Sequence, residues 1–154
     1  MNYEIKIGDS LEVLKTMDDE SVNCCVTSPP YWALRNYDMD EQLGQEGTPE
    51  EYVDKLVEIM SEVKRVLTDD GTLWLNLGDS YVGSGDKGKG KDKIAPKHKN
   101  GQEIAKNKKV AGLKPKDMIG IPWRVAFALQ ADGWYLRSDI IWHKTNPMPI
   151  PVKD

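Results

Sequence analysis

The chain has 154 residues and a formal net charge of −4 at pH 7. Hydrophobic residues make up 39% of it and charged residues 30%, which is typical of a single soluble globular domain spanning residues 1–154. It has no apolar run long enough to cross a bilayer and its first residues have no signal-peptide character, so composition excludes a membrane partner and predicts a cytoplasmic protein.

The chain opens with a pattern typical of a strand, a turn and a short helix. Residues 4–7 alternate in polarity, and Gly8-Asp9-Ser10 would end that strand with Asp9 as a helix cap. Capping alone accounts for Asp9. If the first two predicted strands are neighbours, however, Asp9 would line the same sheet edge as Ser28.

The next run, Val22–Val26, predicts a buried parallel strand that ends in Thr27-Ser28-Pro29-Pro30-Tyr31-Trp32. Its neighbours Cys24 and Cys25 are the only cysteines and are predicted to be reduced packing residues. The two prolines fix φ and remove backbone donors, so acceptors and aromatic faces dominate the end of this strand. Such a pocket suits a planar group that carries an NH2, although a rigid turn capped by core aromatics fits the same residues.

An ordered loop covering the crevice is predicted for residues 33–47, and a helix follows. Thr48 is the expected cap, Pro49 the first helical residue and Glu51 the partner in a capping box. Apolar residues then recur at helical spacing as far as Asp69-Asp70-Gly71, where this helix is expected to end.

Residues 71–77 predict a third strand, which ends in Gly78-Asp79 as the first ended in Gly8-Asp9. Strands that alternate with helices indicate a parallel βαβ sheet. A further helix is expected between Ile119 and Gly133, and a fourth strand over residues 134–143.

The segment 83–117 predicts a mobile lysine-rich loop. Residues 86–116 contain eleven lysines and three acids, a net charge of +8, which leaves −12 on the rest of the chain. A loop that binds a polyanion and a solvated linker both fit this composition.

With these motifs assembled, the chain resembles the amino-terminal part of the β-group DNA amino methyltransferases, which methylate cytosine N4 or adenine N6. The mark of that family is a (Ser/Asp/Asn)-Pro-Pro-(Tyr/Phe/Trp) tetrad at a strand end, matched in full by Ser28-Pro29-Pro30-Tyr31. Gly8-Asp9-Ser10-Leu11 is similar to the segment that contacts the adenine end of S-adenosylmethionine. The resemblance implies an α/β fold with a partial Rossmann-like methyltransferase sheet, mostly parallel strands with flanking helices.

The resemblance also implies roles for individual residues. Ser28, Pro29, Pro30 and Tyr31 would be catalytic, with the Ser28 side chain and the Pro29 carbonyl accepting the hydrogens of a flipped base amine. Asp9, Ser10 and Ser28 would bind the cofactor, and no metal is expected. Further candidates for substrate binding are Trp32, Trp142, His143 and Lys144, for which a core aromatic or a surface side chain is an equally good explanation.

One departure from the family limits the prediction. The Phe-x-Gly-x-Gly segment that holds the methionine part of the cofactor follows the catalytic half in this group, and no such segment occurs here. The chain therefore resembles about half an enzyme and is expected to be inactive alone. Either a missing C-terminal segment or a second chain carries the glycine-rich motif, or catalysis has been lost.

Three functions stay open. The first is a DNA methyltransferase, or its catalytic half, which acts in a restriction-modification system; serine in the tetrad favours cytosine N4 over adenine N6. The second is a non-catalytic nucleic-acid-binding or assembly module that keeps the fold. The third keeps the chemistry and transfers the methyl group to an amide or amine of RNA or protein.

Overall fold

A computed structural model of the chain describes residues 3–37, 39, 42–83 and 110–146. Their helices and strands follow in the order α1 (Ser10–Lys15), β1 (Val22–Thr27), α2 (Pro49–Val66), β2 (Leu67–Leu75) and α3 (Ile121–Ala131). Within these ranges, no helix has the length and apolar character needed to cross a bilayer.

The two strands pair in parallel, with Cys25 opposite Leu73 and Thr27 opposite Leu75. Helix α2 connects them, so the predicted parallel βαβ arrangement is confirmed for this part of the chain. One sheet face packs on the hydrophobic core. The other is open among the described residues, where the side chains of Val26 and Trp74 are 77% and 53% exposed.

Helix α2 begins as the sequence predicts. The Thr48 side chain accepts a hydrogen bond from the Glu51 backbone N–H, and the Glu51 carboxylate accepts one from the Thr48 N–H. Its apolar stripe is buried against the other elements, with Tyr52 and Leu56 fully inaccessible to solvent.

The predicted end of α2 is wrong. The helix stops at Val66 and β2 starts at Leu67, instead of the helix reaching residues 69–71 and the strand starting there. Leu67 closes the helix, since its N–H donates to the Val63 carbonyl, and its extended backbone pairs with Val22 at the beginning of β1. Its burial fits either element, which is why helical periodicity alone misplaced the boundary.

The predicted strands over residues 4–7 and 134–143 are also wrong, because the sheet formed by the described residues contains only β1 and β2. Ile7 is 94% exposed and Trp142 is 75% exposed. A local sequence pattern can favour an extended backbone, but a strand forms only where a neighbouring strand offers backbone hydrogen bonds. No strand pairing therefore supports the expected placement of Asp9 beside Ser28.

Helix α3 confirms the prediction of a helix between Ile119 and Gly133. It packs against α2, where the Ser61 hydroxyl donates to the Asp132 carboxylate at 3.0 Å and the Lys64 ammonium donates to the Gly133 carbonyl at 3.0 Å. Gly133 has a φ of 92° just past the helix end, a conformation that favours glycine. This packing joins α3 and the turn that follows it to α2.

Most of the lysine-rich segment, residues 84–109, lies outside the described residues. The mobility predicted for this segment therefore falls outside them as well. The two ends of that segment are held side by side. The Val82 N–H donates to the Asp117 carbonyl and the Lys116 N–H donates to the Val82 carbonyl, both at 2.9 Å. The described residues on either side of the segment are therefore held together.

Candidate active site

The Ser-Pro-Pro-Tyr tetrad lies at the carboxyl end of β1, as predicted. Ser28 directly follows the last residue of that strand. Since β2 runs parallel to β1, its carboxyl end reaches the same edge of the sheet, where the Asn76 N–H donates to the Thr27 carbonyl at 2.9 Å. Polar side chains that follow the two strands are thereby brought together.

Three of these side chains form a triangle. The Asn76 amide nitrogen lies 3.1 Å from the Tyr31 hydroxyl and 3.4 Å from the Ser28 hydroxyl. The Ser28 hydroxyl lies 3.5 Å from the Tyr31 hydroxyl, to which it donates. Ser28 and Asn76 are exposed and Tyr31 is half-buried, so a ligand can reach the triangle from solvent.

The tetrad backbone is held from inside the fold. The hydroxyl of fully buried Tyr52, on α2, donates to the Pro30 carbonyl at 3.0 Å. Burial raises the pKa of the Tyr52 phenol well above its usual range, and the nearby Glu46 carboxylate adds to this effect. The Trp32 indole N–H donates to the Glu46 carbonyl at 3.2 Å. These bonds fix the position of the turn relative to α2.

Two glycines allow the chain to pass close to Tyr31. A Cβ added at Gly78 would lie 2.6 Å from the Tyr31 Cε2 atom, and one added at Gly44 would lie 2.9 Å from the Tyr31 carbonyl oxygen. Gly44 also has a φ of 94°, and its carbonyl accepts a hydrogen bond from the Ala33 N–H at 2.8 Å. A side chain at either position would push the tetrad out of place.

A cavity of about 300 Å³ opens beside the tetrad. Besides the tetrad it is lined by three residues of the following loop, Leu34, Arg35 and Tyr37. The side-chain amides of Gln42 and Gln45 donate to the Arg35 carbonyl at 2.8 and 2.6 Å. Part of the predicted loop therefore lines the crevice, and the described residues that follow it hold that part in place.

A larger concavity of about 610 Å³ lies at the end of α3, against residues 133–137. None of the tetrad lines it, and most of its wall is a segment that forms neither helix nor strand. The cavity beside Ser28 is therefore the better candidate for chemistry, because acceptors, an aromatic ring and a guanidinium converge there.

The other predicted site residues lie elsewhere. Trp32 is only 2% exposed and belongs to the core. Trp142, His143 and Lys144 are exposed, in a segment without helix or strand. Of the cofactor candidates, Ser10 begins α1 and the Asp9 carboxylate caps that helix, accepting from the N–H groups of residues 11 and 12. The tetrad is the part of the prediction that the fold assembles into a pocket.

Sequence reasoning missed Asn76, and although it predicted that the loop covers the crevice, it assigned no site role to Arg35 or Tyr37. A signal for Asn76 existed, because it is the polar residue near the end of the strand after the tetrad strand. Parallel neighbours bring such ends together, but the sequence does not establish which strands are neighbours. The loop residues carried no comparable signal, since residues 33–47 have no period.

Comparison with known proteins adds an independent observation. The sequence model of a family described as DNA methylase matches residues 22–154. The type II methyltransferase M.Cfr9I of Citrobacter freundii is 56% identical over 149 residues, which cover 96% of this chain and 48% of that protein. The type II methyltransferase M.SmaI of Serratia marcescens is 49% identical over 151 residues, covering 98% and 51%. The chain spans about half the length of these curated relatives.

A solved structure is similar in fold. A protein of Thermus thermophilus that is classed as a DNA modification methylase, solved in complex with S-adenosyl-L-methionine, superposes with a TM-score of 0.51. The sequences are 24% identical, and the match covers 82% of this chain and 39% of that protein. This likeness, together with the parallel strands and their connecting helix, confirms the predicted partial Rossmann-like α/β fold.

Proposed function

The chain belongs to the DNA methylase family, and from this premise we propose that it is the target-base part of a DNA amino methyltransferase. Its reaction moves a methyl group from S-adenosylmethionine to the exocyclic amine of a base, cytosine N4 in preference to adenine N6. The observation that carries the proposal is the convergence of the Ser28, Tyr31 and Asn76 side chains beside a cavity of about 300 Å³.

Two acceptors beside this cavity suit an amine. The first acceptor is the Ser28 hydroxyl oxygen, because Ser28 is exposed. The second is the Pro29 carbonyl, which takes part in no hydrogen bond within the described residues. The Pro30 carbonyl, in contrast, already accepts from Tyr52. A base NH2 is a weak nucleophile because its lone pair is delocalised into the ring. Acceptors that bind both of its hydrogens localise that lone pair and orient it for attack.

A base that is paired inside a duplex cannot place its amine in such a pocket. We propose that the base is flipped into the cavity and stacks on Tyr31, with Tyr37 as a second aromatic group at the wall. The Arg35 guanidinium lines the same wall and makes no ion pair with a carboxylate among the residues that the structure describes. It is therefore suited to the phosphate beside the flipped nucleotide.

S-adenosylmethionine, when bound, supplies an electrophilic methyl group on a sulfonium. Asp9, Ser10 and Ser28 are proposed to contact it. Both capping hydrogen bonds of Asp9 go to its Oδ1 atom, so Oδ2 is available as an acceptor for a ligand hydroxyl or amine. We also propose that DNA is contacted by Trp142, His143 and Lys144, because these side chains are exposed.

We propose that a further segment or a second chain carries the glycine-rich motif and completes the site. The length of the curated relatives supports this, and so does the open sheet face that exposes Val26 and Trp74. Because the relatives are type II methyltransferases, we place the complete enzyme in a restriction-modification system.

The decisive experiment is mass spectrometry of nucleosides from DNA that has been incubated with the complete enzyme and S-adenosylmethionine. N4-methylcytosine is the expected product. N6-methyladenine would correct the target base, and the absence of any methylated nucleoside would favour a non-catalytic binding module. Methylation of RNA or protein alone would move the same chemistry to another substrate.

Ser28→Ala tests the site within that experiment. The turnover should fall by roughly 100-fold, by analogy with the loss of a preorganised group that binds the reacting atoms, while the Kd for DNA changes little. Ser21→Ala is the matched control, because Ser21 lies before β1 and its hydroxyl only donates to the Asp18 carbonyl. Equal turnover of the two variants would remove Ser28 from the catalytic role.

A further inference from the structure

We infer that Asn76 is a positioning residue that turns the Ser28 hydroxyl into an acceptor for the target amine and holds the Tyr31 ring in place. This inference rests on the proposed function, since it assigns a role within the same site. Asn76 lies outside the tetrad, one residue beyond the end of β2.

The backbone places Asn76 without help from its side chain. Its N–H extends the pairing between the strands by donating to the Thr27 carbonyl at 2.9 Å. The side-chain amide is therefore directed across to the residue that follows Thr27, which is Ser28. Both groups are on the face of the sheet that is open in the described part of the chain, as their exposure shows.

The amide determines the direction of the hydrogen bonds in the triangle. An amide nitrogen only donates, so the Ser28 and Tyr31 oxygens must both accept from Asn76, at 3.4 and 3.1 Å. The Ser28 hydrogen then points to the Tyr31 oxygen, 3.5 Å away. One lone pair of Ser28 is used by Asn76 and the other is left for a base amine. Without the amide, the Tyr31 hydroxyl can donate to Ser28 instead of accepting from it, and the Ser28 hydrogen is then presented to the base part of the time.

The same stretch of chain also seats the Tyr31 ring. Gly78, two residues after Asn76, passes so close to the ring edge that an added Cβ would lie 2.6 Å from Cε2. The Asn76 amide binds the hydroxyl at the end of that ring. Together they fix the ring on which the flipped base is proposed to stack.

If Asn76 had only a structural role, removing its side chain would lower the stability of the fold. Asn76 is exposed and contributes nothing to the hydrophobic core, so its side chain is not needed for folding. Its loss should therefore affect the chemical step and leave stability and DNA affinity unchanged. This separation makes the inference testable.

The test uses Asn76→Ala in the complete enzyme. The kcat for methyl transfer should fall about tenfold, the upper range for one net hydrogen bond, with the KM for DNA and the Tm unchanged. Asn23→Ala is the matched control, because Asn23 is exposed at the opposite end of β1. In a Tyr31→Phe background, which lacks the shared hydroxyl, Asn76→Ala should reduce kcat by clearly less than tenfold.

Four outcomes contradict the inference, and they differ in what they reject. An inactive wild-type enzyme would overturn the proposed function and the inference with it. An active enzyme whose Asn76→Ala variant keeps the kcat of Asn23→Ala would overturn the inference alone. A lowered Tm would overturn it too, because the Asn76 side chain would then serve folding. An unchanged tenfold loss in the Tyr31→Phe background would reject the role toward Tyr31, because Asn76 would then act on Ser28 alone.

Discussion

Replacing Asp79 with alanine should destabilise α3 through a contact that spans the lysine-rich segment. The residue before this helix is Gly120, which has no side chain to cap it. The Asp79 carboxylate takes that role: it accepts from the Gly120 N–H at 3.0 and 2.9 Å and from the Ile121 N–H at 3.1 Å. It also accepts from the N–H of Ser80 at 2.8 Å.

The expected loss of folding stability follows from these contacts. Loss of a helix-capping side chain costs about 1 kcal/mol, and loss of a negative charge at a helix N-terminus adds about 0.3–1 kcal/mol. We therefore expect Asp79→Ala to lower the free energy of unfolding by about 1.3–2 kcal/mol. For a chain of this size, that corresponds to a Tm decrease of roughly 3–8 °C. Asp79→Asn keeps one acceptor oxygen and should therefore lower the free energy of unfolding by about half as much as Asp79→Ala.

Thermal unfolding of the complete protein, followed by circular dichroism or calorimetry, measures this effect. Asp69→Ala is the control, because Asp69 is exposed in β2 and its carboxylate makes no hydrogen bond or ion pair among the described residues. If Asp79→Ala melts at the same temperature as Asp69→Ala, the carboxylate does not fix α3, and the reasoning is refuted.

Two further predictions concern α2 and the lysine-rich segment. Burial raises the pKa of Tyr52, so above about pH 10 the unfolded chain loses this proton before the folded chain does, and stability falls as pH rises. Tyr52→Phe should flatten this alkaline fall in urea unfolding, while costing about 1 kcal/mol at neutral pH because the bond to the Pro30 carbonyl is lost; an unchanged alkaline slope would contradict the assignment. Replacing lysines between Lys87 and Lys109 with glutamine should weaken DNA binding at low salt and reduce its salt dependence, as measured by fluorescence anisotropy. Equal affinity at all salt concentrations would leave the segment as a linker.

The elements that were predicted well have determinants within a few residues of one another. The α2 start depends on Thr48, Pro49 and Glu51, and the structure contains the capping box that these residues imply. The end of β1 depends on two prolines that cannot continue a ladder. Local chemistry of this kind is visible in the chain without knowledge of its neighbours.

The predictions that were wrong each depended on a distant partner. Residues 4–7 alternate in polarity and residues 134–143 were predicted as a strand, yet both remain outside the described two-stranded sheet. The junction of α2 and β2 moved to Leu67 because Val22 pairs with it. Backbone pairing between distant segments, and not the local pattern, decided where a strand forms.

The sequence by itself determined the tetrad, its place at a strand end and the family resemblance that the DNA methylase match confirmed. Only the tertiary structure decided which groups meet the tetrad: Asn76 from the end of β2, Tyr52 from α2, and Arg35 with Tyr37 from the loop. The physical reason is that a short motif fixes its own backbone through φ restriction and missing donors. Its surroundings depend on which strands pair and which helix packs beneath them, and those contacts form between residues far apart in the chain.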